Sequence, residues 1–258
     1  MSAKGGTSAL SAVAVIPARF QSSRLPGKPL LQAGGRPLIE HVWRRVREAS
    51  RIERVLVATD DTRIAEAVAA FGGEAEMTSE THRTGSDRIG ELLPSLEADV
   101  ILNVQGDEPE IDPDVLDGLV EILESDPEIG VATAACPFPE DVDPSDPNAV
   151  KVVTDRRGRA LYFSRAPIPG GKADSTTSPG MGWPLMHLGV YAFRRAEFEA
   201  FLASEQGALE QIESLEQLRL LELGIKVGVV TCARAPAGVD TLGEFEAFRA
   251  RVEGLVGS

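Results

Sequence analysis

Three cationic side chains lie close together in the segment Pro17–Leu30. Arg19, Arg24 and Lys28 share this segment with serines and a glycine, directly after an apolar run. Cations and small polar residues in one loop can neutralise and hydrogen-bond a triphosphate, whose charge otherwise repels an attacking nucleophile. The spacing therefore favours a phosphate-binding loop, while charge alone leaves a solvated basic loop as the alternative.

This loop is not the phosphate-binding loop of P-loop proteins. A Walker A motif has a glycine at a fixed distance before its Gly-Lys pair, and Ser or Thr follows the lysine. Here that first position holds Ser22, and Lys28 is followed by Pro29. The segment must therefore hold a phosphate in another way.

The chain as a whole is acidic, with a formal net charge of −14 over its 258 residues. Nucleic acid and anionic membrane surfaces would repel such a protein. We therefore expect neither as a partner, and we expect the basic loop to serve a small anion.

Two aspartates are candidate ligands of a metal ion. Asp107 lies in the segment Asn103–Pro109, directly after a predicted strand, and Asp240 lies in Gly238–Thr241, before the last predicted helix. Mg²⁺ commonly takes one or two protein carboxylates and completes its coordination with phosphate and water oxygens. The alternatives are a surface turn at Asp107 and, at the second segment, a helix cap formed by Asp240 or Thr241.

Other common catalytic arrangements are missing from the sequence. The chain has three histidines, which makes a His-rich zinc site unexpected. It contains no Gly-x-Ser-x-Gly turn, and neither of its two cysteines has a histidine near it in the sequence. The candidate chemistry therefore rests on carboxylates and cations.

The first half of the chain alternates strand and helix patterns. Short apolar runs predict strands, and apolar residues at helical spacing, such as Leu38, Val42 and Val46, predict the helices between them. The alternation predicts an α/β fold with a mostly parallel sheet flanked by helices, in which ligands bind at the carboxyl ends of the strands. The predicted strands are Ala12–Ile16, Val55–Thr59, Val100–Val104 and Ile129–Ala135.

The second half of the chain is less regular. Residues 137–147 predict a connection, Val150–Thr154 and Arg159–Ser164 predict a hairpin, and residues 166–183 predict a mobile loop rich in Gly, Pro and Ser. The remaining predicted elements are a strand Leu188–Phe193, a helix Ser214–Leu223, a strand Ile225–Thr231 and a last helix Leu242–Val252 that buries Leu242, Phe245, Phe248 and Val252.

Residues 1–11 are small and polar and predict a disordered tail, followed by one domain over residues 12–258. The tail lacks the apolar segment of a signal peptide, and no stretch of the sequence is long and apolar enough for a membrane span. We therefore expect a cytoplasmic protein.

Nine segments of the chain together resemble the 3-deoxy-manno-octulosonate cytidylyltransferase family, also called CMP-Kdo synthetases. The resemblance runs from residue 12 to residue 250 and keeps the family's order. One such segment would be weak evidence, whereas nine in register are specific. They read IPARFQSSRLPGKPL, VATDD, HRTGSDR, NVQGDEP, NAVKVV, ALYFSRAPIP, HLGVYAF, LEQLR and GVDT.

The resemblance implies a Rossmann-like nucleotidyltransferase fold whose smaller lobe, residues 137–191, binds the sugar and forms a homodimer. It implies transfer of CMP from CTP to 3-deoxy-D-manno-octulosonate (Kdo), giving CMP-Kdo and pyrophosphate for lipopolysaccharide synthesis. Mg²⁺ is the implied cofactor, and the anomeric hydroxyl of Kdo would attack the α-phosphorus in line. The acceptor of the hydroxyl proton stays open between Asp240 and a water molecule on the metal ion.

The resemblance also implies roles for individual side chains. The nucleotide would be held by Arg19, Arg24, Lys28, Gly85, Ser86 and Gln105. The implied catalytic residues are Arg19, Lys28, Asp107 and Asp240, of which Asp107 and Asp240 would bind Mg²⁺. The sugar pocket would consist of Arg88, Arg165, His187, Tyr191, Glu216 and Gln217, with both arginines facing the sugar carboxylate.

Arg83 departs from the family pattern, because many relatives carry an uncharged residue at this place. It would either change sugar selectivity or point to solvent. The 8-amino analogue of Kdo, sialic acid and a sugar 1-phosphate stay alternative acceptors. A nucleotide-sugar-binding protein without catalysis is the alternative of another class, and the presence of both aspartates and all three cations of the basic loop argues against it.

Overall fold

The protein is built from a mixed β-sheet with helices on both faces. The computed structural model describes residues 9–21, 25–140, 142–170 and 184–254. In chain order the described strands are β1 (Ala12–Ala18), β2 (Gln32–Ala33), β3 (Arg36–Pro37), β4 (Arg54–Thr59), β5 (Glu74–Met77), β6 (Val100–Asn103), β7 (Val131–Pro137), β8 (Lys151–Thr154), β9 (Ala160–Ser164), β10 (Leu185–Arg194) and β11 (Val227–Thr231). The described α-helices are α1 (Leu38–Arg47), α2 (Thr62–Ala70), α3 (Gly85–Leu92), α4 (Pro113–Ser125), α5 (Arg195–Ala203), α6 (Ala208–Glu213), α7 (Gln217–Glu222) and α8 (Leu242–Val252).

Strand β1 separates the strands that the chain adds first, on one side of it, from those that it adds later, on the other side. It pairs in parallel with β4 on one side and with β6 on the other. The described strands of the main sheet run in the order β11, β7, β10, β6, β1, β4, β5, and β8 joins through β10 and carries β9. The chain builds outward from β1 through β4 and β5 and then returns to β6. The carboxyl ends of β1 and β6 therefore flank a switch point, where ligands of such sheets bind.

Strand β10 lies antiparallel between two parallel blocks of the sheet. It pairs with β6 on one side and β7 on the other, and its register with β7 shifts between Leu188 and Tyr191. Strands β7 and β11 are parallel to each other. The prediction of a mostly parallel sheet flanked by helices is confirmed, and the antiparallel insertion places Tyr191 opposite Asn103 at the end of β6.

Two apolar layers cover the faces of the sheet. Helices α1, α2 and α4 bury residues such as Val42, Val68 and Leu119 in one layer, while α3 and α5 bury residues such as Ile89 and Phe198 in the other. The central strands β1, β6, β7 and β10 contribute to both layers because their successive side chains point to opposite faces. This packing fixes the strand ends on which the site residues lie.

Helix α8 buries a narrower face than the sequence predicts. Phe245 and Phe248 are buried, but Leu242 is 59% exposed and Val252 is 40% exposed, so the prediction that all four are buried is wrong. The helix packs on a small apolar cluster formed by loop residues such as Val239, away from the main layers. That cluster covers the middle of the helix and leaves both ends in solvent.

The sequence patterns missed α3, α5, α6 and β5. In α3 the pattern is weak because Gly85 and Gly90 lower its intrinsic helix propensity. The helix forms because Thr84 caps it, accepting from Asp87 N at 3.1 Å, and because Ile89 is fully buried against the sheet. The predicted helix Ser214–Leu223 is shorter, as α7 spans only Gln217–Glu222.

The described part of the predicted tail is bonded to the domain. Leu10 N donates to Glu124 Oε1 at 3.1 Å, and Ser11 Oγ donates to Asp99 Oδ2 at 2.8 Å. Residues 1–8 and the predicted loop segment 171–183 lie outside the described residues.

The predicted hairpin is confirmed by the antiparallel pair β8–β9. None of the described helices combines the length and apolar character that crossing a bilayer requires.

Candidate active site

Several predicted site segments converge at the carboxyl end of β1. A Cβ on Gly85 would lie 3.0 Å from Pro17 Cγ, and a Cβ on Gly106 would lie 3.0 Å from Pro17 O. Because only glycine permits such close approaches, the start of α3 and the turn after β6 can both close on Pro17. They enclose a cavity of about 200 Å³, the nucleotide cavity, whose charged lining includes Arg19, Lys28, Arg83, Asp107 and Asp240.

Lys28 joins the two aspartates that the sequence suggests as metal ligands. Its Nζ donates to Asp107 Oδ2 at 2.8 Å and to Asp240 Oδ1 at 3.1 Å. It also donates to Val239 O at 2.9 Å. An ammonium group has three protons, so these bonds use all of them. The structure therefore brings Lys28, Asp107 and Asp240 together from three separate segments.

Val239 fixes the spacing of the two carboxylates through its backbone. Its N–H donates to Asp107 O at 2.9 Å, while its carbonyl accepts from Lys28. Its side chain is buried in the apolar cluster with Leu38 and Phe245. The packing of α8 thus sets where Asp240 lies relative to the turn after β6.

Thr241 caps α8, and Asp240 faces the nucleotide cavity. Thr241 Oγ1 accepts from Glu244 N at 3.3 Å, and the Glu244 carboxylate accepts from Thr241 N at 2.8 Å, which completes a capping box. The same carboxylate accepts from Asp240 N at 2.8 Å. Neighbouring residues therefore divide the two roles that the sequence left open at this segment.

Glu108 is a site residue that the sequence analysis did not select, although it directly follows Asp107. Its Oε2 is buried and has no hydrogen-bond partner among the described residues. Burial raises the pKa of Glu108 to about 8, and the charges of Asp107 and Asp240 act in the same direction against the effect of Lys28. The carboxyl group of Glu108 is therefore held mostly in its neutral form near pH 7.

Arg19 and Arg83 are exposed cations on the wall of the nucleotide cavity. Within the described part of the chain, neither guanidinium group is hydrogen-bonded or ion-paired. Both are therefore able to bind an anion without first breaking an internal contact. Arg24, which the sequence analysis grouped with Arg19, lies outside the described residues.

Arg88 lies in a different place from the one expected. It is 3% exposed, and its guanidinium donates to Asp60 Oδ2 at 2.6 Å and to Thr78 Oγ1 at 2.5 Å. It borders the nucleotide cavity, not the pocket of His187 and Tyr191, which corrects the expectation that it faces a sugar carboxylate there. The physical reason is Asp60, which follows β4 and neutralises Arg88 at short range.

Four of the residues predicted to bind the sugar do come together. They line two adjoining cavities of about 310 and 300 Å³, the acceptor pocket. These residues are His187, Tyr191, Glu216 and Gln217. Tyr191 and Gln217 border both cavities, so β10 and the start of α7 form the shared wall.

The acceptor pocket is continuous with the nucleotide cavity. Gly85 and Gln105 line both spaces, and Gln105 Nε2 donates to Asn103 Oδ1 at 3.2 Å. Ser86, predicted beside Gly85 on the nucleotide side, lines only the acceptor pocket, where its Oγ donates to Glu216 Oε2 at 2.9 Å. A ligand in one space can therefore reach a ligand in the other past Gln105.

His187 is held as a neutral imidazole. Thr133 Oγ1 donates to Val190 O at 2.8 Å, with Leu188 O at 3.3 Å as a second acceptor, and lies 2.9 Å from His187 Nε2. With the single hydroxyl proton directed at these carbonyls, the tautomer that donates from Nε2 fits best, and Nδ1 is then an acceptor. Burial lowers the pKa of His187 to about 3. The ring can accept a proton in a hydrogen bond but does not carry a charge near neutral pH.

Arg165 is predicted to bind the sugar, but its guanidinium is engaged by the backbone. It donates to Glu213 O at 2.7 Å, to Pro147 O at 2.8 Å and to Ser214 O at 3.2 Å. Ser214 lines the acceptor pocket, whereas Arg165 is not among the residues described on its walls. Arg165 therefore supports the pocket from outside in this structure.

Lys151 supports the same wall, and the sequence analysis did not select it. It is fully buried, and its ammonium group donates to Asp146 O at 2.9 Å, Ala149 O at 2.8 Å and Arg165 O at 2.5 Å. Burial lowers its pKa. Lys151 and Arg165 together tie the connection before β8 to the residues around Ser214.

The cleft as a whole has two chemically different ends. The nucleotide cavity combines cations with a pair of carboxylates, which suits a metal-bound polyphosphate. The acceptor pocket offers neutral donors and acceptors together with the Glu216 carboxylate, as suits a hydroxyl-rich molecule. The described residues that line both spaces are Thr84, Gly85 and Gln105, which include no Ser or Cys, so the arrangement fits a direct transfer between two bound molecules.

Comparisons with known proteins agree with this arrangement. The family model of the cytidylyltransferases matches residues 13–227. A 3-deoxy-manno-octulosonate cytidylyltransferase from Syntrophotalea carbinolica is 46% identical over 250 residues, which are 95% of this chain and 100% of the relative. One from Escherichia coli is 44% identical over 239 residues, which are 93% of this chain and 95% of the relative.

Solved structures give the same result. A CMP:2-keto-3-deoxy-manno-octonic acid synthetase complexed with CTP has a TM-score of 0.88 and 42% identity, covering 95% of this chain and 100% of that chain. A 4-diphosphocytidyl-2C-methyl-D-erythritol synthase from Anaerococcus prevotii, at 16% identity and a TM-score of 0.63, shares the fold. The chain belongs to the cytidylyltransferases and, within them, to the 3-deoxy-manno-octulosonate cytidylyltransferase family.

Proposed function

We propose that the protein transfers CMP from CTP to Kdo, giving CMP-Kdo and pyrophosphate. The observation that carries the proposal is the continuous cleft, in which Lys28, Asp107 and Asp240 lie at one end and His187 and Tyr191 at the other. Relatives that match nearly the whole chain carry the name of this activity. The product would serve lipopolysaccharide synthesis, and we expect the enzyme to act in the cytoplasm.

The nucleotide end would hold the triphosphate. Arg19 and Arg83 face the cavity without internal partners in the described structure, and Lys28 lines the same cavity and binds Asp107. Cations placed around the phosphates stabilise charge that builds up on the leaving oxygens as pyrophosphate departs. Gly85 and Gln105, at the junction, would lie beside the α-phosphate and the nucleoside.

We expect Mg²⁺ as the cofactor, held by Asp107 and Asp240. The donors are carboxylate oxygens, which Mg²⁺ prefers, and the buried Oε2 of Glu108 beside them has no hydrogen-bond partner among the described residues. Among the described residues no group of three or more acidic, His or Cys side chains forms a complete metal site. Phosphate and water would therefore complete the coordination, and the ion would neutralise charge on the phosphate oxygens.

The acceptor pocket would orient Kdo for in-line attack on the α-phosphorus. His187 Nδ1 would accept from a sugar hydroxyl, and the Tyr191 hydroxyl, whose pKa burial raises, would donate as a neutral phenol. Glu216 and Gln217 would bind further hydroxyl groups. Holding both reactants in this geometry removes much of the entropic barrier to their reaction.

The preference for Kdo over other acidic sugars is a separate part of the proposed function. Within the described structure, neither Arg88 nor Arg165 places its guanidinium free in the acceptor pocket. We propose that Kdo is the preferred acceptor because the near-full-length relatives are named for it. The 8-amino analogue differs at the far end of the sugar and is the nearest alternative.

We also propose a homodimer formed by the lobe of residues 137–191. Leu161, on β9 in this lobe, is 61% exposed. A large apolar side chain exposed on an edge hairpin favours contact with another copy. Light scattering of the purified protein tests the oligomeric state.

Pyrophosphate release from CTP and Kdo tests the proposed reaction. We expect turnover by the wild type, a loss of at least about a hundredfold for Asp107→Asn, and wild-type rates for Asp112→Asn. The second variant is a matched control, because Asp112 caps α4 outside the cleft. Wild-type turnover by Asp107→Asn with Mg²⁺ would show that the metal assignment is wrong.

A further inference from the structure

We propose that the ammonium group of Lys28 holds the place of the metal ion in the free protein and leaves it only when nucleotide phosphates bind. Binding of metal and binding of nucleotide are then coupled through one side chain. The inference rests on the proposed function, because that function assigns Asp107 and Asp240 to the metal.

The first support is the geometry of the three groups. Lys28 Nζ lies 2.8 Å from Asp107 Oδ2 and 3.1 Å from Asp240 Oδ1. A divalent ion held by both carboxylates would lie within a few ångströms of this ammonium group. Two cations so close together repel each other strongly, so the ion and the ammonium group would compete for the carboxylates.

The second support is that the ammonium group has no proton left for a phosphate. Its third proton is donated to Val239 O at 2.9 Å. A lysine that binds a phosphate oxygen must release at least one of these acceptors. Lys28 therefore cannot bind a phosphate oxygen and keep all three of its present hydrogen bonds.

The third support is the charge that would be left behind. The side chain of Lys28 is only 13% exposed, and its ammonium group contacts both carboxylates. Withdrawal of the ammonium group alone would remove one positive charge from both carboxylates at once. This loss is unfavourable because opposite charges attract strongly where water is scarce. Arrival of another cation therefore favours the departure of Lys28.

The backbone around Lys28 stays in place during this exchange. Its N–H donates to Leu25 O at 3.2 Å, and Leu31 N donates to its carbonyl at 3.2 Å. Pro29, the next residue, is buried. The flexible four-carbon side chain of lysine can move alone, and the adjoining cavity of about 200 Å³ gives it room.

A coupling between two ligands is reciprocal. If nucleotide phosphates draw Lys28 away and thereby raise the affinity for metal, bound metal raises the affinity for nucleotide by the same factor. We therefore expect the free protein to bind a divalent ion weakly and the nucleotide complex to bind it tightly.

Binding of Mn²⁺ to the free protein, measured by electron paramagnetic resonance without nucleotide, tests this inference. We expect weak binding by the wild type and an affinity about tenfold or more higher for Lys28→Met, because the competing charge is gone. Arg19→Met is the matched control, since it removes a cation from the same cavity without touching the carboxylates. We expect less than about a threefold change for it.

Equal affinities of Lys28→Met and Arg19→Met, or tight binding by the wild type, would overturn the inference. Lys28→Gln serves as a second variant if the methionine variant does not fold, as judged by thermal unfolding. The gain should vanish when Asp107→Asn is added, and persistence of the gain would contradict competition at this carboxylate.

Pyrophosphate release is also measured with the same preparation of the wild-type protein. This assay distinguishes failure of the proposed coupling from failure of the proposed function. Turnover of CTP with Kdo, together with equal Mn²⁺ affinities, would refute the coupling and leave the function standing. The Mn²⁺ difference without turnover would support the coupling and refute the function.

Discussion

Two cations of the nucleotide cavity, Lys28 and Arg83, have opposite surroundings. Every proton of the Lys28 ammonium group is donated to a protein oxygen, whereas Arg83 is exposed and makes no bond to another described residue. An anion can therefore bind Arg83 without breaking an existing hydrogen bond or ion pair of its side chain. Arg83 lines the nucleotide cavity and is not among the described residues on the walls of the acceptor pocket.

We predict that Arg83→Gln raises the KM for CTP by about threefold to tenfold and leaves the KM for Kdo unchanged, because one charge-assisted contact to phosphate is lost. Steady-state kinetics with each substrate varied in turn measures both constants. Arg157→Gln, at an exposed arginine on the β8–β9 turn, is the control and should change neither. A raised KM for Kdo alone would show that Arg83 affects the sugar.

His187 gives a prediction about pH. Its pKa is lowered to about 3 in the folded protein, whereas in the unfolded chain a histidine titrates near 6.5. Between these values the unfolded chain binds the proton and the folded protein does not, so stability falls as pH falls. We predict that lowering the pH from 6.5 to 4 costs the wild type about 3 kcal/mol more than His187→Gln.

Urea unfolding at a series of pH values measures this difference. The control is Thr133→Ser, which keeps the hydroxyl group that binds the imidazole and should keep the wild-type pH dependence. Parallel curves for the wild type and His187→Gln would show that the imidazole titrates normally in the folded protein.

The sequence predicted some side chains of the site much better than others. Lys28, Asp107 and Asp240 lie in turns beside the ends of elements, where residue type and position already suggest phosphate and metal binding. Arg88 was misplaced because its partner, Asp60, belongs to another strand end, and nothing in the local pattern of α3 indicates which carboxylate it meets. Pairing between distant segments is set by the tertiary fold.

At the scale of elements, the start of α8 is the structure that positions Asp240. The capping box between Thr241 and Glu244 also holds the Asp240 backbone N–H, and Val239 is tied to the turn after β6. A helix end that is fixed on both sides can present a carboxylate in a constant place. The geometry of the proposed metal site would therefore depend on residues that do not bind the ion themselves.

We predict that Thr241→Ala lowers the free energy of unfolding by about 1 kcal/mol through loss of the cap. It should also raise the Mg²⁺ concentration needed for half-maximal activity, because Asp240 loses its fixed position. Urea unfolding and a Mg²⁺ titration of turnover measure the two effects. Thr241→Ser keeps the hydroxyl group and should retain both properties, while an unchanged Mg²⁺ requirement in Thr241→Ala would contradict the positioning role.

Element prediction succeeded where a strand or helix is apolar by itself. Strands β1, β4 and β6 are continuous apolar runs, and α1 has a clear periodic pattern, so local sequence is enough. The antiparallel placement of β10 could not be predicted, because the strand pattern carries no information about its neighbours. The exposed ends of α8 were missed because the helix packs on loops, whose position the pattern does not give.

At the scale of the whole molecule, the cleft is assembled from both halves of the chain. The nucleotide cavity belongs mainly to the parallel block around β1, and the acceptor pocket belongs to β10 and α7. The antiparallel insertion of β10 joins them, since Tyr191 pairs with Asn103 of β6. The supporting contacts of Lys151 connect the pocket to the lobe that we propose as the dimer surface.

We predict that Leu161→Glu converts the proposed dimer to a monomer without unfolding it, because a charge would be buried in the interface. Light scattering should then give the chain mass of 27.5 kDa in place of twice that value. Leu242→Glu is the matched control, because Leu242 is 59% exposed but lies on α8 outside the lobe. A wild type that is monomeric, or a dimeric Leu161→Glu, would contradict the proposed surface.

The choice of acceptor is tested most directly by following the products of CTP in a mixture of possible acceptors. We would incubate the enzyme with CTP, Mg²⁺ and equal amounts of Kdo, its 8-amino analogue, sialic acid and a sugar 1-phosphate, and identify the nucleotide sugars by ³¹P nuclear magnetic resonance. The proposed function predicts CMP-Kdo and pyrophosphate as the main products. Formation of CMP-sialic acid or of a nucleoside diphosphate sugar in place of CMP-Kdo would contradict it.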